Sequence, residues 1–122
     1  MKTLGGLVIL LSALPASAQT RDIFATCRFA TECFEAEPCA ETDFSFSVSR
    51  DDAHGFVIRT DAEDIPGMAF DNYLPDATSA LIGATDTAYH MLTIEPGGAA
   101  RYSVHMKGPM SVSYLGACEV TP

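Results

Sequence analysis

Residues 87–106 read TAYHMLTI-EPGG-AARYSVHM, two alternating runs joined by a short turn. The period of two marks each run as a half-buried strand. Pro96 suits the opening of a type I turn, and Gly98 suits the left-handed residue that ends a three-residue hairpin loop. Such a loop pairs Glu95 with Ala99 and so fixes the register. Leu92 then faces Tyr102, His90 faces Val104 and Ala88 faces Met106, on one face with Ile94 and Ala100. The opposite face carries Met91 with Ser103 and Tyr89 with His105.

The same alternation extends in both directions. Gly108-Pro109 turns the chain again, and Val112, Tyr114, Gly116, Cys118 and Val120 form one face of a last strand. Upstream, Phe44-Ser45-Phe46-Ser47-Val48-Ser49 alternates without a break. A polar connection from Arg50 to Gly55 leads to a return strand, Phe56 to Thr60. The signal weakens between Asp61 and Asp76. There Pro66-Gly67 and Pro75-Asp76 read as turns, and Met68-Ala69-Phe70 as a short strand between them. Ser79 to Ala84 reads as another strand, with a short helix over Ala77 to Leu81 as the alternative. No repeat, low-complexity tract or helical period interrupts this pattern. The expected fold is all-β, a small antiparallel meander of about seven or eight strands, either a closed barrel or a sandwich.

The N-terminus has a different character. Lys2, the apolar run from Leu4 to Leu14 and Ala16-Ser17-Ala18 read as a secretory signal peptide over residues 1–18. The run is shorter than the roughly 20 residues of a membrane-spanning helix. An N-terminal anchor helix is the alternative. Residue 19 is Gln, so no lipid-attachment cysteine follows the cut. A single β domain over residues 19–122 is expected, exported to a periplasm or secreted, monomeric and free of the membrane after cleavage.

The chain carries 16 Asp and Glu against 7 Lys and Arg. Losing Lys2 with the leader leaves six cations and a net charge of −10. Nucleic acid and anionic lipid are repelled by such a surface, because phosphate contact needs Lys and Arg. A basic partner is attracted, while the charge also serves plain solubility.

Cys27, Cys33, Cys39 and Cys118 are an even set in an exported domain, which implies two disulfides. Their C-x5-C-x5-C spacing is not that of a zinc finger, and C-x-x-C and C-x-x-C-H are absent. Of the three pairings, Cys27–Cys118 with Cys33–Cys39 is preferred. The first would tie the chain ends together, and the second would pin the acidic loop Phe34-Glu35-Ala36-Glu37-Pro38. Cys27–Cys39 with Cys33–Cys118 is the second choice.

No catalytic constellation emerges, so no catalytic, cofactor-binding or metal-ligating residue is assigned. His90 and His105 fall on opposite faces of their strand pair and His54 in a turn, so they do not converge on an ion. The expectation for His90 is a core histidine with one hydrogen-bonded nitrogen. Ser103 and Ser111 lack a G-x-S-x-G elbow. Asp51-Asp52 and Asp61-x-Glu63-Asp64 read as solvated turn charges, without the calcium-loop pattern or a marked cleft. Met68, Phe70 and Tyr73 form either an exposed apolar patch for a partner or a cap on one barrel end.

With its early cysteine cluster, its closing Tyr114-Leu115-Gly116-Ala117-Cys118 and the run from Leu92 to Ser103, the chain resembles small exported β-proteins of Gram-negative bacteria. More remotely it is similar to the periplasmic C-type lysozyme inhibitors, small barrels that present a Ser- and Tyr-containing loop and acidic groups to a basic lysozyme. Ser113-Tyr114 falls within a strand here, so no residue is carried over from that family. The resulting expectation is a non-enzymatic exported binding protein whose partner is a basic protein such as a lysozyme. The alternative is a small-ligand or metal carrier using the barrel mouth.

Overall fold

A computed structural model describes residues 5, 6, 9, 23–51, 55–70, 78–108 and 110–121. The signal peptide lies almost wholly outside these residues, as do His54, Tyr73 and the Pro75-Asp76 turn. Eight antiparallel strands close into a barrel in sequence order. They are β1 (Ile23–Phe34), β2 (Ala40–Asp51), β3 (Gly55–Arg59), β4 (Asp64–Phe70), β5 (Ser79–Ala84), β6 (Ala88–Ile94), β7 (Ala99–Met106) and β8 (Met110–Val120). The meander leaves no open edge, because β8 pairs with β1 along most of its length. Closure removes the unpaired backbone groups that invite aggregation.

The β6–β7 hairpin adopts the register that its turn dictates. Leu92 faces Tyr102, His90 faces Val104, Ala88 faces Met106 and Ile94 faces Ala100. Its apolar face is buried, while Tyr89, Met91 and His105 point outward and are exposed. The Glu95 N–H donates to the Ala99 carbonyl at 2.9 Å, and Gly98 takes the expected positive φ. Gly97 does too, so the turn closed by the Gly98 N–H on the Glu95 carbonyl is not the type I turn expected.

Alternation fills the barrel with aromatic side chains. Phe29 is fully buried and lies 5.2 Å from Phe46, 6.1 Å from Phe44 and Tyr102, and 6.2 Å from Tyr114, ring centre to ring centre. Leu92, Val48, Ile65, Leu81 and Ile94 belong to the same core, with Ile58, Val104 and Val112. Each such side chain contributes about 1.5–3 kcal/mol when removed from water. The cluster fits because β8 presents no side chain at Gly116. A Cβ there would stand 2.6 Å from the Phe29 Cα and would also strike the Arg28 carbonyl. At this point β1 carries an extra residue relative to β8, between Phe29 and Thr31.

The cysteines pair as Cys27–Cys118 and Cys33–Cys39. Cys27 and Cys118 face each other across the β1–β8 seam, with Cα atoms 4.0 Å apart. The second bridge closes the β1–β2 turn. Two disulfides suit an oxidising, extracellular or periplasmic environment. Among the described residues no helix is long and apolar enough to cross a membrane.

Two local readings change, and one open alternative is settled. Arg50 and Asp51 extend β2, and Gly55 opens β3 opposite Asp51, so the polar connection is shorter than expected. Ser79 to Leu81 is strand, and the helical alternative is discarded. Pro66-Gly67 lies inside β4 and is not a turn. The reason is close packing between strands. Gly67 stands opposite Gly83, where a Cβ on Gly67 would meet the Ile82 carbonyl oxygen at 2.6 Å and one on Gly83 would meet Ile65 Cγ2 at 2.8 Å. The paired glycines let Ile65 reach the core.

Candidate functional site

Alternate connections of an up-and-down barrel emerge at the same end. The turns β1–β2, β3–β4, β5–β6 and β7–β8 therefore share one end, and eight of the twelve described acidic residues lie toward it. Among the described residues it carries Glu32, Glu35, Glu37, Glu41, Asp61, Glu63, Asp64 and Asp86 against Arg59 and Lys107. These acids sit in turns and strand ends, where short polar connections are the cheapest way to reverse the chain.

The acidic turns are held by local bonds. Thr60 donates from its N–H to the Glu63 carbonyl at 3.0 Å, and its hydroxyl accepts from the Glu63 N–H at 3.0 Å. Arg59 pairs with Asp64 at 2.7 Å and donates from Nε to the Ser49 hydroxyl at 3.2 Å. Glu35 takes a left-handed φ of 50°, and its carboxylate accepts the Ser111 N–H at 2.7 Å, which ties the β1–β2 turn to β8. Glu63, Asp61 and Asp86 remain exposed.

Beneath this rim lies a buried polar pair. His90 Nδ1 and the Tyr102 hydroxyl are 2.5 Å apart, in side chains only 4% and 3% exposed. The rings stack at 5.8 Å. Burial lowers the His90 pKa below 6.5, opposed in part by the Glu63 charge. Burial raises the Tyr102 phenol well above 10, with Glu63 and Tyr114 adding to the rise. Both groups are therefore neutral at pH 7. In the arrangement that suits two neutral groups, Tyr102 donates to Nδ1 and the imidazole proton rests on Nε2. Nε2 is buried without a hydrogen-bond partner. Tyr114 is likewise raised, by burial first and then by a hydrogen bond to Glu32 and its charge.

Such a pair can hold two strands in register, and both side chains are closed off from solvent. The described clefts lie elsewhere and open to solvent. One of ≈ 480 Å³ sits at the opposite end between the β6–β7 turn and the end of β8, flanked by Glu95 and Glu119. Two others, of ≈ 560 and ≈ 400 Å³, groove the outer wall beside Arg101 and Arg28.

Among the described residues, those singled out in the sequence do not converge on one centre. His90 is inside and His105 outside. Ser103 bonds to Ser113 across the outer wall at 3.3 Å. Among the described residues no group of three or more His, Cys, Asp or Glu could hold a metal ion. Met68 and Phe70 lie in a strand as expected, in the longer β4, with Met68 exposed on the outer wall. The acidic rim was not singled out, although its turns were readable one by one. Only the topology puts them at a common end. Compared with protein-family models, curated proteins and solved structures, the chain finds no match.

Proposed function

We propose that this chain is an exported, non-enzymatic binding domain of the periplasm, and that its partner is a basic protein engaged by the acidic end of the barrel. The observation that carries this reading is that, among the described residues, eight carboxylates stand around one set of turns against two cations. A one-signed surface of this kind speeds encounter with an oppositely charged partner and helps fix its orientation. The aromatic filling of the barrel supports an outer-surface role rather than carriage of a small molecule inside.

A basic lysozyme is the partner to test first. Mixed with the oxidised protein at low salt, it should co-elute on gel filtration and lose activity. The complex should weaken as salt shortens the screening length to about 3 Å at 1 M. Reversing Asp61 and Glu63 to Lys should slow association by about tenfold or more. Unchanged lysozyme activity with no co-elution at low salt would remove this partner.

A further inference from the structure

The outer wall of β4, β5 and β6 breaks the pattern of the rest of the barrel. Strands with one buried face usually alternate apolar inside and polar outside. Past Asp64, the charged residue that opens β4 on this side, the outward positions are Pro66, Met68 and Phe70 on β4, Ala80, Ile82 and Ala84 on β5, and Tyr89, Met91 and Thr93 on β6. None of the nine is charged, in a chain with net charge −9. The ladder aligns them in rows. Met68 faces Ile82, and Ile82 faces Met91; Phe70 faces Ala80, and Ala80 faces Thr93. Met68 is 61% exposed, Ile82 38%, Tyr89 70% and Met91 44%.

We propose that this wall is a docking surface for a protein segment that is apolar on one face and cationic at its margins. The inference rests on the reading that the partner is basic, and adds the surface on which its apolar part is seated. Contiguous exposed apolar patches mark interaction sites in small soluble domains. Methionines suit such a role because their unbranched side chains adapt to the facing surface. The net charge of −9 sets the sign of the occupant, since the charges at the wall's own margin nearly balance. Glu63, Asp64, Asp86 and Glu95 border it, with Arg59, Arg101 and Lys107 as the nearby cations, and Arg59 is ion-paired to Asp64. A second copy would bring two strongly negative molecules together, and an anionic lipid surface would meet the same repulsion. The apolar band also stops short of encircling the barrel, since Arg28, Asp43, Arg101 and Glu119 are exposed on the remaining strands. A lipid-spanning barrel needs that band all the way round.

The experiment uses the full, disulfide-bonded chain and two synthetic peptides at low salt. One alternates Leu and Lys; the other is an oligolysine of equal charge. The amphipathic peptide should bind about tenfold or more tightly than oligolysine, since its apolar face is removed from water. Ile82→Glu or Met91→Glu should reduce it to the oligolysine level, while Ser45→Glu on the opposite wall should not. Far-ultraviolet circular dichroism checks that the variants fold, and Met68→Ser serves as a milder variant. Equal binding of the two peptides, or insensitivity to the wall substitutions, overturns the proposal. So does self-association of the free chain, or binding to neutral lipid vesicles, that these substitutions abolish. If lysozyme binds regardless of the wall variants, the basic-partner reading stands and this surface falls. If lysozyme does not bind but the amphipathic peptide does, wall-dependently, the surface stands and that partner falls.

Discussion

His90 shows how a single side chain can be read from register alone and where that reading ends. The hairpin puts it opposite Val104, so Tyr102, two residues away on the same face, is its diagonal neighbour within aromatic reach. One hydrogen-bonded nitrogen was therefore legible. The stranded Nε2 was not, because it depends on what the other strands bring across the barrel. The Glu32–Tyr114 contact was hidden for the same reason, since it crosses the β1–β8 seam. Two outcomes follow at this scale. Tyr102→Phe removes the partner of Nδ1 and should cost about 1–3 kcal/mol in urea unfolding, the penalty of an unsatisfied buried group. His90→Leu combined with Tyr102→Phe should recover part of that loss, because no polar atom is left stranded. The pH dependence has a definite sign. His90 has a folded pKa below its unfolded 6.5, so the unfolded chain binds the extra proton. Its contribution is complete above pH 6.5 and declines as pH falls from there toward the folded value. His90→Leu should flatten that part of the stability–pH curve, and an unchanged slope would refute the assignment.

Turns separate residues that look alike in sequence. Gly97 and Gly98 are neighbours with φ of 96° and 100°, both in the left-handed region. Nothing lies within 4 Å of a Cβ built on Gly97, whereas one on Gly98 would stand 2.6 Å from the Cys118 carbonyl oxygen. Gly97→Ala should therefore cost about 1–2 kcal/mol from backbone strain alone. Gly98→Ala should cost roughly 1–3 kcal/mol more, since β8 must move. Thermal unfolding of the two variants measures the difference, and equal losses would contradict the close approach. The hairpin register was readable because it is local, whereas the turn type was not, since Gly97 is free to take the positive φ that a type I turn excludes. Pro66-Gly67 was misread because its role is not local: Gly67 needs Gly83, which lies across a strand pair. The ends of β2 were hidden for a related reason. Arg50 and Asp51 are polar, yet their backbones pair with β3 as well as any others.

Across the whole molecule, the choice between barrel and sandwich turned on whether the first strand meets the last. Alternation along single strands does not report this, because both architectures use the same period. The cysteines carried more of the answer. A bridge from Cys27 to Cys118 needs their strands to be neighbours, and in a meander that requires closure. The two bridges stabilise by different amounts because they close loops of different length. Cys27 and Cys118 are separated by 91 residues, Cys33 and Cys39 by 6. In the chain-entropy model these correspond to about 4–5 and about 2–2.5 kcal/mol. Cys27 is also fully buried in the core, so replacing it leaves a void, whereas Cys39 is exposed at a turn. Both effects point the same way. The Cys27→Ala/Cys118→Ala variant should lose about 4 kcal/mol or more in urea unfolding, and Cys33→Ala/Cys39→Ala about 2. The larger loss should come with a steeper urea slope, because the unfolded chain without this cross-link is less compact and exposes more surface. A greater cost for the short bridge would mean that the β1–β2 turn, rather than the seam, is where this barrel is held closed.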